Sequence, residues 1–341
     1  MDELTVKTAT VSSILFLILI LFVFEISSGY GSEIHAKEPA EVENTLVGKK
    51  DEEPAIEMNP NDNLVVPIPD SVSDDNVNIS VDMISKKVNI SFNVSGSTFD
   101  VANVINTALQ IQQITYQSDN DVVSVAIQLK DYYETVWCFL DGKLYMRFLP
   151  IDRSVPIVVV DPGHGGSDVG ADKGGIYEKN ITMSVCRKLK AIAYNQPFKV
   201  YFTREGDLYP TVEERAAFAN IIQPDLFISV HANWYDDPSV NGTSVLFNSL
   251  NGTDINSSYW LAGIMNDEVR KAMGTADMGL LEGNTIYVVR YTKVTAALVE
   301  LGFMTNESDL NIMTSEEGQN NAAKGIYNGI VRALKELGKI K

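Results

Sequence analysis

Cysteine is scarce in this chain, since its 341 residues include only Cys138 and Cys186. The two residues fall in different predicted domains, and neither belongs to a C-x-x-C pair. A disulfide framework and a thiolate zinc site are therefore both excluded. Each side chain is expected to be an ordinary buried cysteine.

Basic residues are also in deficit. The chain has 27 Lys and Arg against 45 Asp and Glu, which gives a formal net charge of -18. Proteins that bind nucleic acids gain much of their affinity by neutralising phosphates with Lys and Arg. So acidic a chain is not expected to bind nucleic acid. Its charge also gives no attraction to anionic lipids or anionic wall polymers, so if the protein stays near an envelope, another feature must hold it there.

Long hydrophobic runs are missing except at the N-terminus, where residues 14–24 are all apolar. The length of this run suits the core of a signal peptide, and the flanking Val11 and Ile26 extend it towards a short membrane span. Residues 1–29 are therefore expected to be a signal peptide or a membrane anchor. The protein is then extracytoplasmic, in the cell envelope, and either secreted or held at the membrane.

The next two segments differ in composition. Residues 30–62 are rich in Glu, Asp and Pro and show almost no apolar periodicity, which predicts a disordered acidic linker. In residues 63–150 apolar and polar residues alternate, for example at 77–81 and 88–92, with the period of a half-buried strand. This segment is expected to be a small β-rich domain, either a wall-binding module or a spacer without a ligand.

From Pro156 onward, strands are predicted to alternate with helices. The continuous apolar run at 157–160 is typical of a strand buried on both faces. Further strands are predicted at 198–202, 226–230, 244–247, 287–289 and 296–301. Helices are predicted near 180, at 211–218, at 256–273, and at the C-terminus after a cap formed by Thr314 and Glu317.

This order predicts an α/β fold, a mostly parallel twisted sheet with helices on both faces, in a catalytic domain over residues 155–341. Sites in such sheets lie at the carboxyl ends of the strands.

Histidine is scarce too, but two of the three histidines stand in suggestive places. His164 follows a predicted strand within a glycine-rich turn, and His231 ends another strand. Glu178 stands just before a predicted helix. Two imidazoles and a carboxylate form the ligand set of a catalytic zinc site, which leaves the fourth position open. Their spacing matches no short metal motif, so structural roles for these residues stay open at this point.

Other polar residues extend this candidate site. Asp161 or Ser229 could orient a ligand through hydrogen bonds. Glu300 lies inside the apolar strand at 296–301, where a carboxylate is costly to bury unless it has a partner or a chemical task. Next to a metal-activated water it would act as general base and then as general acid. A salt-bridged structural glutamate is the alternative.

Five segments of the chain, taken in order, resemble a known family, the zinc-dependent N-acetylmuramoyl-L-alanine amidases of the type-3 class. The resemblance covers about residues 157–334. The five segments are 161–171 (DPGHGGSDVGA), 178–180 (EKN), 203–220, 227–233 (FISVHAN) and 298–306 (LVELGFMTN).

The resemblance implies one Zn²⁺ per chain, with His164, Glu178 and His231 as ligands and Glu300 as the catalytic residue. The implied substrate is peptidoglycan, cut at the amide bond between the lactyl group of N-acetylmuramic acid and L-alanine, for cell-wall remodelling or cell separation. Substrate contacts are expected from three polar residues, Asn233, Arg290 and Asn306.

The chain departs from the family pattern at two places. Residues 242–245 lack an expected acidic residue, and residues 278–280 lack an expected arginine. Both departures are expected to affect substrate preference rather than the reaction.

Two alternatives differ in function: a zinc peptidase that cuts within the stem peptide, and a wall-binding protein without activity. Some relatives block the site with an inserted helix between the third ligand and the catalytic glutamate. The interval from His231 to Glu300 is too short for such a helix beside its other predicted elements, so an open cleft is expected. Nothing in the sequence identifies a protein activator.

Overall fold

The computed structural model describes four stretches of the chain, residues 64–94, 99, 103–119 and 121–341. The expected signal peptide or anchor at 1–29 and the expected linker at 30–62 lie outside these stretches. No helix within them has both the length and the apolar character that crossing a membrane requires.

The first described part, which we call the β-sandwich, ends at residue 150. Its strands are β1 (Leu64–Pro67), β2 (Asn78–Asp82), β3 (Lys87–Asn93), β4 (Ile105–Asn106), β5 (Ile111–Asp119), β6 (Val122–Leu129), β7 (Tyr133–Leu140) and β8 (Lys143–Pro150), with a 3-10 turn at Asp74–Asn76. In the residues that the structure describes here, they form two antiparallel sheets, ordered β4-β1-β8-β7 and β2-β3-β6-β5.

Alternating residues build the core between these two sheets. On β3 the buried side chains are Val88, Ile90 and Phe92, and they face Met146 and Phe148 of β8 in one apolar cluster. The intervening residues of β3 are polar, which is the pattern of a strand with one face buried. The predicted strands of this segment are therefore confirmed.

The second described part, which we call the α/β part, begins at residue 157. Its strands are β9 (Ile157–Pro162), β10 (Asp172–Lys173), β11 (Ile176–Tyr177), β12 (Lys199–Phe202), β13 (Leu226–Asn233), β14 (Thr243–Phe247), β15 (Asp277–Glu282) and β16 (Ala296–Phe303). Its helices are α1 (Glu178–Ile192), α2 (Val212–Ile222), α3 (Ser258–Met273), α4 (Tyr287–Tyr291), α5 (Glu307–Thr314) and α6 (Glu316–Glu336), with a 3-10 turn at Ser249–Asn251.

The main sheet of the α/β part has the order β12-β9-β13-β16-β14-β15. Neighbouring strands run parallel except β14 and β16, which pair antiparallel. Helices α1, α3 and α6 pack on one face, in a cluster with Val158 and Val160. Helices α2 and α4 pack on the other face, in a cluster with Ile157 and Val159. The predicted fold class, a mostly parallel sheet covered on both faces, is confirmed.

Local predictions near the C-terminus need two corrections. Residues 287–289, predicted as a strand, belong to helix α4. Val288 and Val289 are both buried, and periodicity cannot separate a helix from a strand in so short an apolar run. The cap of the last helix is Ser315 rather than Thr314, because the Ser315 side chain accepts a hydrogen bond from the Gly318 amide. Helix α2 begins with a capping box of Thr211 and Glu214.

The β-sandwich packs against the face of the main sheet that carries α2 and α4. Met83 lies 8% exposed in one cluster with Ile157 and Phe218, and the Tyr132 ring centroid is 5.3 Å from that of Phe218. Polar contacts reinforce this apolar contact, since Glu134 of β7 accepts hydrogen bonds from Lys199 and Tyr201 of β12. The two parts therefore share a core.

Replacing Met83 with alanine is expected to lower the free energy of unfolding by about 2–5 kcal/mol, because it opens a cavity in that shared core. Thermal unfolding followed by circular dichroism should keep a single transition at a lower temperature. Leu109→Ala is the matched control, because Leu109 is 77% exposed and its loss should change little. An unchanged midpoint in Met83→Ala, or two separate transitions in the parent chain, would contradict a shared core.

Candidate metal centre

Polar side chains from separate elements converge at the carboxyl ends of β9, β13 and β16. His164 follows β9, and Glu178 is the first residue of α1 rather than the residue before it. His231 of β13 lies directly opposite Glu300 of β16 in the sheet register. These residues line an open cavity of about 340 Å³, with Ala171, Asp172, Ala232, Asn233 and Trp234.

Glu178 connects the two histidines. Its Oε1 lies 2.9 Å from His231 Nδ1, and its Oε2 lies 3.1 Å from His164 Nε2. The same two oxygens accept hydrogen bonds from the backbone amides of Ala232 and Ala171. One ligand atom from each of the three side chains lies within 4.8 Å of the others. The three residues predicted as ligands thus form a cluster that could hold a metal ion.

The electrostatics of the cluster follow from these contacts. Burial raises the pKa of Glu178, but the hydrogen bonds and charges of both histidines outweigh it and hold the pKa well below its usual range. Burial lowers the pKa of His164, but Glu178 and Asp168 outweigh it and raise the pKa to about 9. A metal ion must displace the imidazole protons in order to bind, so its affinity depends on pH.

Glycines permit this close approach of the ligands. A Cβ atom on Gly163 would lie 2.4 Å from the His231 ring, and one on Gly170 would lie 2.5 Å from Glu178 Oε2. His164 itself has a φ of 60°, in the left-handed region that residues with a side chain seldom adopt. The surrounding chain must stabilise this backbone conformation.

Buried arginines provide that stabilisation. Arg215 donates to the backbone oxygens of Pro162 and His164, at 2.8 and 2.7 Å, and Arg204 donates to those of Pro162 and Gly163, at 3.0 and 2.8 Å. The guanidinium groups therefore fix the turn that presents His164. Sequence reasoning missed both arginines, because charged residues in amphipathic segments usually face solvent.

Asp161 contacts Arg215, which contacts the backbone turn at His164, so Asp161 and Ser229 are linked to the cluster only through Arg215. Ser229 donates to Asp161 at 2.7 Å, and the other oxygen of Asp161 accepts from Arg215 at 2.7 Å and from Thr203. Burial raises the pKa of Asp161, but Arg215 and the two hydroxyl groups lower it by more than burial raises it, so the carboxyl stays ionised. Neither Asp161 nor Ser229 forms a hydrogen bond with a ligand side chain in the described part of the chain.

Besides Glu178, a second carboxylate contacts a histidine of the cluster directly, that of Asp168, which the sequence did not single out. Its Oδ2 lies 2.9 Å from His164 Nδ1, and its Oδ1 accepts from the Gly170 amide at 3.1 Å. The contact leaves Nε2 of His164 turned towards Glu178. The available signal was the position of Asp168 four residues after His164 in the same loop.

Glu300 has a different environment. Its Oε2 atom is buried and has no hydrogen-bond partner among the described residues, where no salt bridge of Glu300 occurs either. The alternative of a salt-bridged structural glutamate is therefore not supported. Burial raises the pKa of Glu300 to about 7, a rise that His231 opposes and Glu178 reinforces.

The residues expected to contact substrate are not all at the cavity. Asn233 lines it. Asn306 instead caps α5 by accepting from the Asp309 amide, and it donates to the Pro238 oxygen. Arg290 lies on α4, after β15, at the opposite edge of the sheet, because β14 and β15 run antiparallel to β16. Trp234, which the sequence did not single out, lines the cavity and is 43% exposed.

The interval between His231 and Glu300, all of it described, holds two helices. Helix α3 packs in the core with α6, and α4 packs in the opposite cluster near α2. The cavity-lining residues include none from α3, α4 or the β-sandwich. No helix of this interval therefore lines or closes the cavity.

The α/β part of the chain is similar in sequence to known proteins. Residues 158–332 match the family model described as N-acetylmuramoyl-L-alanine amidase. The uncharacterized protein YqiI of Bacillus subtilis (strain 168) is 36% identical over 173 residues, which are 51% of this chain and 82% of YqiI. The N-acetylmuramoyl-L-alanine amidase LytC of the same organism is 30% identical over 174 residues, 51% of this chain but only 34% of LytC.

A solved structure shows a similar fold. The catalytic domain of CwlV, an N-acetylmuramoyl-L-alanine amidase from Bacillus (Paenibacillus) polymyxa var. colistinus, is 30% identical, with a TM-score of 0.50. The match covers 53% of this chain and 99% of that domain.

Replacing Arg215 with methionine is expected to destabilise the protein by about 3–5 kcal/mol, because it leaves the Asp161 carboxylate buried without its partner. Urea unfolding measures this loss. Lys271→Met is the matched control, since Lys271 pairs with Asp267 at the surface, where ion pairs contribute about 0–1 kcal/mol. Equal midpoints for the two variants would show that the buried ion pair does not hold the turn.

Proposed function

Because the chain belongs to the N-acetylmuramoyl-L-alanine amidase family, we propose that it hydrolyses its substrate at the cavity lined by His164, Glu178, His231 and Glu300. The bond cut is the amide between the lactyl group of N-acetylmuramic acid and L-alanine in peptidoglycan. The observation that carries this assignment is a cluster that could hold a metal ion beside Glu300, whose Oε2 atom is buried without a partner among the described residues.

The donor set fits zinc, since two imidazoles and one carboxylate leave a fourth position open. His164, Glu178 and His231 would hold the ion. When bound, zinc supplies Lewis acidity, which polarises the amide carbonyl and makes a water easier to deprotonate. Asp168 keeps the His164 ring oriented, and Arg215 holds the backbone oxygen of the same residue.

Glu300 moves the proton that the reaction requires. Its carboxylate takes a proton from the attacking water, whose oxygen forms a bond with the lactyl carbonyl carbon. When the carbon–nitrogen bond breaks, Glu300 returns the proton to the alanine nitrogen. The products are a free lactyl carboxylate and the amino terminus of the stem peptide. A pKa near 7 suits a group that must accept and release a proton in one cycle.

Contacts around the cavity fit a large polymeric substrate. Trp234 presents a half-exposed aromatic surface, with Lys173 Nζ 5.9 Å from its ring centroid, and Asn233 offers polar atoms beside it. Peptidoglycan lies outside the cytoplasm, so we expect the enzyme to act there, in cell-wall remodelling or cell separation. Residues 1–29 would export the protein or hold it at the membrane, and 30–62 would tether it.

The β-sandwich has two possible roles, a wall-binding module or a spacer. Its shared core with the α/β part favours a fixed spacer over a freely moving module. None of the cavity-lining residues comes from it, so the cleft is open without its removal.

Digestion of purified peptidoglycan tests the proposed reaction. The intact protein should release free stem peptides that begin with L-alanine, together with unsubstituted glycan, as identified by mass spectrometry. A chelator should stop the digestion and added Zn²⁺ should restore it, because the ligand cluster would otherwise lack its metal. Fragments cut within the stem peptide would show a peptidase instead, and activity that resists chelation would exclude the metal.

Paired variants separate the roles of the base and the ligands. Glu300→Gln should retain zinc and lose turnover by about 10²–10⁴-fold, the usual effect of removing a general base. His231→Ala should lose both zinc and activity, because two protein ligands seldom hold the ion. Elemental analysis beside the kinetics checks both. Loss of zinc from Glu300→Gln, or stoichiometric zinc in His231→Ala, would reverse the assigned roles.

A further inference from the structure

Ser244 lies beside Glu300 in the main sheet. The two residues are directly paired across β14 and β16, which run antiparallel. Opposed residues in such a pair lie on the same face of the sheet, with Cβ atoms about 4.5–5.5 Å apart. Their neighbours Val245 and Val299 belong to the cluster on the other face, which agrees with this placement.

Both side chains carry a buried polar atom without a partner. Ser244 is fully buried, and neither its Oγ nor the Oε2 of Glu300 has a hydrogen-bond partner among the described residues. A buried polar group left unpaired costs about 1–3 kcal/mol, so two neighbouring cases need an explanation. The two groups are complementary, because a hydroxyl can donate and a carboxylate can accept.

The surroundings of Ser244 provide no alternative acceptor side chain in the sheet. Its register partner on the other side is Gly279 of β15, where an added Cβ would meet nothing within 4 Å. The adjacent hydroxyl of Thr243, by contrast, contacts Thr275 Oγ1 and donates to the Leu301 oxygen.

We propose that Ser244 is a positioning residue for Glu300. In the working enzyme the hydroxyl of Ser244 donates to one oxygen of the Glu300 carboxylate, after a rotation of either side chain. That contact leaves the other oxygen directed at the water and then at the departing nitrogen. The proposal rests on the proposed function, because it gives Glu300 its task.

Ser244→Ala tests this contact in the parent enzyme and in the Glu300→Gln variant. In the parent, kcat should fall about 10-fold, as expected for a lost hydrogen bond to a charged group. KM should stay unchanged and the thermal midpoint should not fall, because no hydrogen bond of the free protein is lost. In the Glu300→Gln background the same change should not lower kcat further, because the effects of substituting two coupled residues are not additive. The kcat of Ser244→Cys, whose thiol is a weaker hydrogen-bond donor, should lie between those of the parent enzyme and Ser244→Ala.

Thr292→Val is the matched control. Its hydroxyl is also buried without a partner in the described part of the chain, but Thr292 does not line the cavity. This variant should keep the parent kcat. An unchanged kcat in Ser244→Ala, or an equal fold loss in both backgrounds, would overturn the positioning role while leaving that of Glu300 intact. Full activity of Glu300→Gln would overturn the base assignment and the role of Ser244 with it.

Discussion

The site depends on the contacts of one buried carboxylate, that of Glu178. Glu178 is the first residue of α1, and its carboxylate contacts His164, which follows β9, and His231 of β13. The carboxylate also accepts hydrogen bonds from two backbone amides. A carboxylate in so buried a place is stable only when its oxygens are paired. The same pairing draws two imidazoles from distant parts of the sequence together. Glycines 163 and 170 are needed because any side chain there would occupy the space of these ligands.

A buried ion pair between Asp161 and Arg215 supports this arrangement. Asp161 neutralises Arg215, and Arg215 in turn donates hydrogen bonds to the backbone oxygens of Pro162 and His164. The left-handed conformation of His164 is thus maintained by contacts at its backbone and, through Asp168, at its ring. The polar row continues across the sheet through His231 and Glu300 to Ser244, on one face of neighbouring strands.

Sequence patterns could predict the elements and the residues that cluster at the candidate metal centre, but not all of their surroundings. Alternation on β3 and the apolar run at β9 report burial directly, so the strands were predictable. The cluster of His164, Glu178 and His231 was predictable because strand ends of a parallel sheet meet at one edge. The antiparallel direction of β14 is not encoded in any local pattern, and it moves Arg290 to the far edge. Arg204 and Arg215 matter through contacts with a backbone turn, and Asp168 matters through its contact with the His164 ring; composition reveals neither.

The β-sandwich shares apolar contacts with the face of the sheet that carries α2, while none of its residues lines the cavity at the carboxyl ends of the strands. The central claim is that His164, Glu178 and His231 hold one zinc ion beside Glu300. Anomalous X-ray scattering at the zinc absorption edge, from crystals of the intact protein grown without chelator, tests it most directly. We predict one zinc peak per chain, bonded to those three side chains, with Glu300 close by but not bonded. A peak elsewhere, or one bonded to Glu300 in place of a histidine, would contradict the account.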